Sequence, residues 1–139
     1  MTERTGRCLC GSVSFKLARE PLGARICWCR DCQHLAANGT VNVVAEAAAL
    51  EVSGTLAEHV KQADSGNQIG RLFCPTCGTH MFGRSSARPE IRIIRAGNFD
   101  DPSSIKPSTN IWTSSAPAWA CLDASLEQVT NQPAPPPKP

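Results

Sequence analysis

Seven of the eight cysteines fall into three clusters. Thiols at such spacing hold a metal, pair as disulfides or act as nucleophiles. The clusters are Cys8-Leu9-Cys10-Gly11, Cys27-Trp28-Cys29-Arg30-Asp31-Cys32 and Cys74-Pro75-Thr76-Cys77-Gly78. A closed zinc site takes four protein ligands, whereas a reactive one keeps three and leaves a corner of its tetrahedron open. Seven thiols divide as four plus three. Gly11 follows the first pair and Gly78 the last, and a metal-binding knuckle needs a residue free to take positive φ just past its second thiolate. Cys8, Cys10, Cys74 and Cys77 are therefore the candidate closed site. Cys27, Cys29 and Cys32 crowd into six residues without a glycine. They are the candidate open site, metal ligands and catalytic residues at once.

A disulfide framework is the competing use of these thiols. Residues 1–20 carry no apolar run with a cleavage site, so no secretory signal is read and a reducing, cytoplasmic setting is expected. That setting favours two zinc ions per chain over disulfides. A chain of 139 residues makes one domain with a modest core. Aromatics are only 5%, with no tyrosine, and a core short of large side chains gains from a metal bound by the folded state alone. The formal charge is +2. A four-thiolate zinc carries −2 and a three-thiolate zinc −1, so the loaded protein would sit at −1. Nucleic acid needs a basic stripe, but the arginines and lysines are scattered from Arg4 to Lys138. No run approaches the ~18 apolar residues of a membrane span. Neither nucleic acid nor membrane is expected as a partner, and monomer and homodimer are both left open.

The elements that must position the thiols are short. Residues 12–17 alternate polar and apolar, the period of a half-buried strand. Residues 33–37 suit one helical turn ended by Asn38-Gly39, and the β-branched run at 40–44 reads as a buried strand. Residues 50–54 and 56–62 read as two strands meeting at Gly54-Thr55. Residues 69–73 lead to the third cluster, and 79–82 and 90–96 follow as strands, the latter covered on both sides. Residues 97–102 are turn chemistry, and Pro107 and Pro117 make 103–119 loop-like. With hardly a helical period, the chain is expected to be all-β, one domain over residues 1–130. Residues 131–139 hold five of the eleven prolines and are expected to be a disordered tail.

At the third cluster the pattern resembles the glutathione-dependent formaldehyde-activating family. Members show Cys-x-Cys-Gly near the start, Cys-x-Cys-x-x-Cys some twenty residues on, and a late Phe-Cys-x-x-Cys-Gly, here Phe73 to Gly78. Ser65-Gly66, Gly97-Asn98-Phe99-Asp100-Asp101-Pro102, Asn110-Ile111-Trp112 and Pro117-Ala118-Trp119 extend the likeness over residues 5–122. The resemblance implies a tent of antiparallel sheets similar to methionine-R-sulfoxide reductases. It also implies a structural zinc on Cys8, Cys10, Cys74 and Cys77 and a labile catalytic one on Cys27, Cys29 and Cys32. The implied activity is that of a carbon–sulfur lyase, condensing glutathione with formaldehyde. Trp28 and Asn110 stand where the family usually has histidines.

An open three-thiolate site can hold an external thiolate, such as that of glutathione, poised to attack an aldehyde carbon. The new alkoxide needs a proton, for which His34 is the nearest titratable candidate and Asp31 the second. Each has a plainer reading, His34 as a surface histidine or a fourth ligand and Asp31 as a turn residue. Trp28 is either a lid over the metal or a core side chain. His59 and His80 are read as structural, and Cys121 as a buried thiol without a role. Arg92 and Arg95 are candidates for binding glutathione carboxylates. Two other functional classes fit the same thiols: a zinc-ribbon module that binds without catalysis, and a reductase of oxidised sulfur attacking through Cys29.

Overall fold

The alternation at 12–17 becomes strand β2 (Ser14–Leu17), with Phe15 and Leu17 buried and Ser14 and Lys16 exposed. In the computed structural model, whose described residues are 3–134, β2 lies between β1 (Arg4–Arg7) and β5 (Leu50–Ser53) in a three-stranded antiparallel sheet. The other strands are β3 (Gly23–Cys27), β4 (Thr40–Glu46), β6 (Ala57–Gln62), β7 (Gln68–Phe73), β8 (His80–Ser85), β9 (Ile91–Arg95), β10 (Thr109–Ile111) and β11 (Glu127–Gln128). They form an open sheet in the order β11-β10-β3-β4-β9-β8-β7-β6. One α-helix, α1 (Arg30–Ala36), stands among the described residues. The protein is β-rich, as expected.

The core lies between the two sheets. Val13, Phe15 and Leu17 meet Val43, Ala45, Phe82 and Ile94 of the large sheet. The Phe15 ring sits edge-on to Phe82 and Phe99, at centroid distances of 5.6 and 5.2 Å, an arrangement favoured by the ring quadrupoles. No residue of β9 is exposed, which agrees with a strand covered on both sides.

Four local expectations change. The stretches at 50–54 and 56–62 do not meet as a hairpin: β5 pairs with β2 and β6 with β7, in different sheets. Residues 103–119 are not all loop, because β10 inserts between β3 and β11, parallel to both. Its chain returns from the β9 side through a long connection and so enters at the same end as β3. The helix starts at Arg30, inside the second cluster, because Cys29 caps it. Cys121 is exposed rather than buried.

Of the stretch expected as a tail, residues 135–139 lie outside the described residues. Asn131 and Gln132 take hydrogen bonds from Trp112 and Ser114. No helix among the described residues is long and apolar enough to cross a membrane.

Candidate metal centres and the adjoining cleft

The first and third clusters come together where β1 and β7 end. The sulfurs of Cys8, Cys10, Cys74 and Cys77 all lie within 4.8 Å of one another. Zinc–sulfur bonds of ~2.3 Å at tetrahedral angles imply sulfur–sulfur edges of ~3.8 Å. Cys8 to Cys10 is 3.7 Å and Cys10 to Cys74 is 3.8 Å, so the donor set fits zinc in chemistry and in size. Gly11 and Gly78 take φ of 80° and 77°, the backbone freedom expected of them. Each knuckle closes on a backbone hydrogen bond, Gly11 N to Cys8 O at 3.1 Å and Gly78 N to Cys74 O at 2.8 Å.

Hydroxyls that sequence reasoning passed over complete this site. Ser12 Oγ lies 3.0 Å from Cys10 Sγ and 3.3 Å from Cys74 Sγ. Thr79 Oγ1 lies 3.1 Å from Cys77 Sγ, and the Val13 N–H donates to Cys8 Sγ at 3.3 Å. Hydrogen bonds to a thiolate favour its charged form, and the Thr79 hydroxyl and N–H bring the Cys77 thiol down to about 5. Their signal was local: each hydroxyl stands two residues past a cysteine.

The triplet is assembled differently. Cys27 ends β3, Cys29 is the N-cap of α1, and Cys32 lies in its first turn. The Cys32 N–H donates to Cys29 Sγ at 3.3 Å, so the thiolate does the work usually done by a capping oxygen. The three sulfurs lie within 4.8 Å of one another, and no histidine, cysteine or acidic group among the described residues joins them as a fourth. Cys27 and Cys32 are buried and packed with Ile111, Trp112 and Val129, while Cys29 is half-buried. Contacts from the Cys27 and Cys32 thiols, with the Cys32 N–H and the Arg71 charge, push the Cys29 thiol down to about 2. The same sulfur contacts and burial push Cys27 up. Three thiolates this close repel one another, so holding all three ionised needs a cation.

Other candidates are not brought to the sulfurs. His34 is exposed, and two positions beyond Cys32 on a helix its side chain leaves from nearly the opposite face. Asp31 accepts from Lys61 Nζ at 2.8 Å and Arg71 Nη2 at 3.4 Å, tying α1 to the β6–β7 hairpin. His59 is exposed on β6, and His80 is half-buried at the start of β8. Arg92 donates to the carbonyls of Pro89 and Ile91.

The sequence profile of the family described as glutathione-dependent formaldehyde-activating enzyme matches residues 3–115. This chain belongs to that family. A crystal structure of a Rhodobacter sphaeroides protein, solved as a Northeast Structural Genomics target, has a similar fold. Its TM-score is 0.55 and its identity 23%, over 72% of this chain and 93% of that one. No curated protein matches the chain.

Trp28 and Asn110, where the resemblance leads one to expect histidines, do not present their side chains to the triplet. Trp28 is 4% exposed and packs as a core side chain rather than a lid. A Cβ built on Gly39 would lie 2.7 Å from its ring, so only glycine lets the chain pass there. Asn110 is fully buried and donates to the Asp123 carbonyl at 3.3 Å. It pairs with Ile26 in the ladder, on the face away from Cys27, since side chains alternate along a strand.

The face that carries Cys27 is a polar one. Thr109, Arg25, Asn42 and Arg95 form one row across β10, β3, β4 and β9, and Ile111, Cys27 and Thr40 form the next. Asn42 links the rows, accepting from Arg95 Nη1 and directing its amide toward Cys32 Sγ at 3.9 Å. Beside it opens a cleft of about 650 Å³ walled by Leu35, Gly39, Thr40, His80, Arg95 and Ile105. Thr40 Oγ1 donates to the Cys32 carbonyl at 3.0 Å, so the cleft shares a wall with the triplet.

Proposed function

We propose that this protein is a carbon–sulfur lyase that joins a thiol to an aldehyde carbon at the triplet, with glutathione and formaldehyde as the substrates its family's description indicates. The convergence of three thiols with no fourth donor among the described residues is the observation that carries this reading. Cys27, Cys29 and Cys32 would hold one zinc, and Cys8, Cys10, Cys74 and Cys77 a second, structural one. Zinc at the triplet would leave a corner for an outside thiolate and lower that thiol's pKa at neutral pH.

The chain's own groups prepare the step. The Cys32 N–H orients Cys29, and the Asn42 amide is directed at Cys32, the kind of support that fixes ligand geometry. Ile111, Trp112 and Val129 cover the buried side of the cluster and keep water from it. In the step a carbon–sulfur bond forms, the carbonyl π bond breaks, and the thiol's proton ends on the new hydroxyl. Water is assigned as that proton's route, because His34 is exposed on the far face of α1. His34→Ala is therefore expected to keep its activity, where loss of a general acid would cost about 100-fold or more.

Metal analysis followed by calorimetric titration with glutathione tests the proposal. Wild type should hold about two zinc per chain and bind glutathione, and Cys29→Ser should hold about one and bind none. Equal metal in both, or glutathione binding that survives the substitution, overturns it. Full metal with no glutathione heat in wild type would mark a non-catalytic ribbon module instead.

A further inference from the structure

Arg25 and Arg95 have no acidic partner among the described residues, yet both stand on the triplet's face. Arg25 lies two residues before Cys27 on β3, and its charge acts on that thiol. The charge of Arg95 acts on Cys32, Cys27 and Cys29. Arg71 and Lys61 share Asp31 at the mouth of the same face. The four cations against this one carboxylate leave three positive charges. A three-thiolate zinc would lower that to two. A neutral alkyl thiol arriving as its thiolate would cancel one and leave one unmatched on this face.

The cleft shows where the second negative charge belongs. Arg95 lines it with Nη1 engaged by Asn42 and Nε buried without a partner. His80 lines it too, and its Nδ1 is likewise buried without a partner. A planar guanidinium matches a carboxylate with paired hydrogen bonds. The Asn42 side chain links it to the Cys32 sulfur, its Oδ1 accepting from Arg95 Nη1 and its amide directed at Cys32.

We infer that the site selects thiols that carry a carboxylate, with the acid group held by Arg95 in the cleft and the sulfur directed to the triplet. The inference rests on the thiol reading above and adds the anchor that reads the acid. Arg95 is a binding and positioning residue, and Arg25 adds to the field without touching the cleft.

Calorimetric titration of the zinc-loaded full chain with 3-mercaptopropionate and 2-mercaptoethanol tests it. Wild type should bind the acidic thiol ~10-fold or more tightly than the neutral one, and Arg95→Met should bring the ratio near ~1 by weakening the acidic thiol far more than 2-mercaptoethanol. Arg95→Lys, which keeps the charge and loses the fork, should retain an intermediate ratio, so the inference stays testable if the methionine variant does not fold. Arg92→Met, on the same strand and outside the cleft, should leave the ratio as in wild type. If both thiols bind wild type alike, or the preference survives in Arg95→Met, the inference falls and the thiol reading stands. If neither thiol binds, both fall.

Discussion

The two cysteine clusters are built from one residue type and differ in almost everything else. The four-thiol set joins two knuckles 64 residues apart, Cys10 to Cys74, and brings four sulfurs together. Ser12, Thr79 and the Val13 N–H also direct hydrogen bonds to its sulfurs. Cys10 is exposed even so. The three-thiol set is more buried, yet it has no fourth donor among the described residues, and Arg25 and Arg95 stand on its face. Burial therefore does not mark which of the two sets supplies four sulfurs and which supplies three. What separates them is how many sulfurs the protein brings together and what charge it places beside them.

That contrast has a large consequence for stability. Cys74→Ser should remove one metal and destabilise the chain by about 4 kcal/mol or more, because loss of a structural metal is among the few single changes that reach such values. Cys29→Ser should remove one metal with a much smaller fall in stability. Denaturant titration of both variants, with metal analysis, checks the difference, and equal destabilisation would erase the distinction between the two clusters. A smaller effect is expected at Gly39. Its Cβ would lie 2.7 Å from Cε2 of Trp28 and 3.0 Å from Cγ2 of Ile26, and such overpacking costs about 1–3 kcal/mol. Gly39→Ala should therefore lower the melting temperature and disturb the triplet side, leaving the metal of the four-thiol site in place.

The smallest effect concerns acid. Asp100 accepts from Thr5 and Arg7, and these bonds hold its carboxyl below the ordinary range. A depressed carboxylate contributes stability above its unfolded pKa and loses it as pH falls through the folded value. Because β1 leads into Cys8, this contact steadies the approach to the closed site. Asp100→Asn should lower the melting temperature slightly at neutral pH and by progressively less toward pH 3. A thermal-melt series across that range reads it, and a difference that grows on acidification would contradict the assignment.

Much of this was legible along the chain. The grouping of Cys8 and Cys10 with Cys74 and Cys77 follows from knuckle glycines whose positive φ is a local requirement, and Gly11 and Gly78 both meet it. The strands at 12–17 and 40–44 carry their own alternation or β-branching. β3, whose residues are Gly-Ala-Arg-Ile-Cys, carries no such pattern. β10 has three residues and is a strand only because β3 and β11 flank it. The stretches now β5 and β6 showed their character but not their partners, since a strand's periodicity says nothing about which neighbour completes its ladder.

The sequence alone therefore determined the division of seven thiols into a closed and an open set, because chelate spacing and glycine backbone freedom act over a few residues. Only the tertiary structure decided what surrounds the open set. It turned His34 outward, buried Trp28 against Gly39, and put Asn110 on the opposite face. It also aligned Arg25, Asn42 and Arg95, which lie 70 residues apart from first to last, in one row beside the cysteines. Strand register is settled by long-range pairing and by which face packs on the core, and no short stretch of chain encodes either.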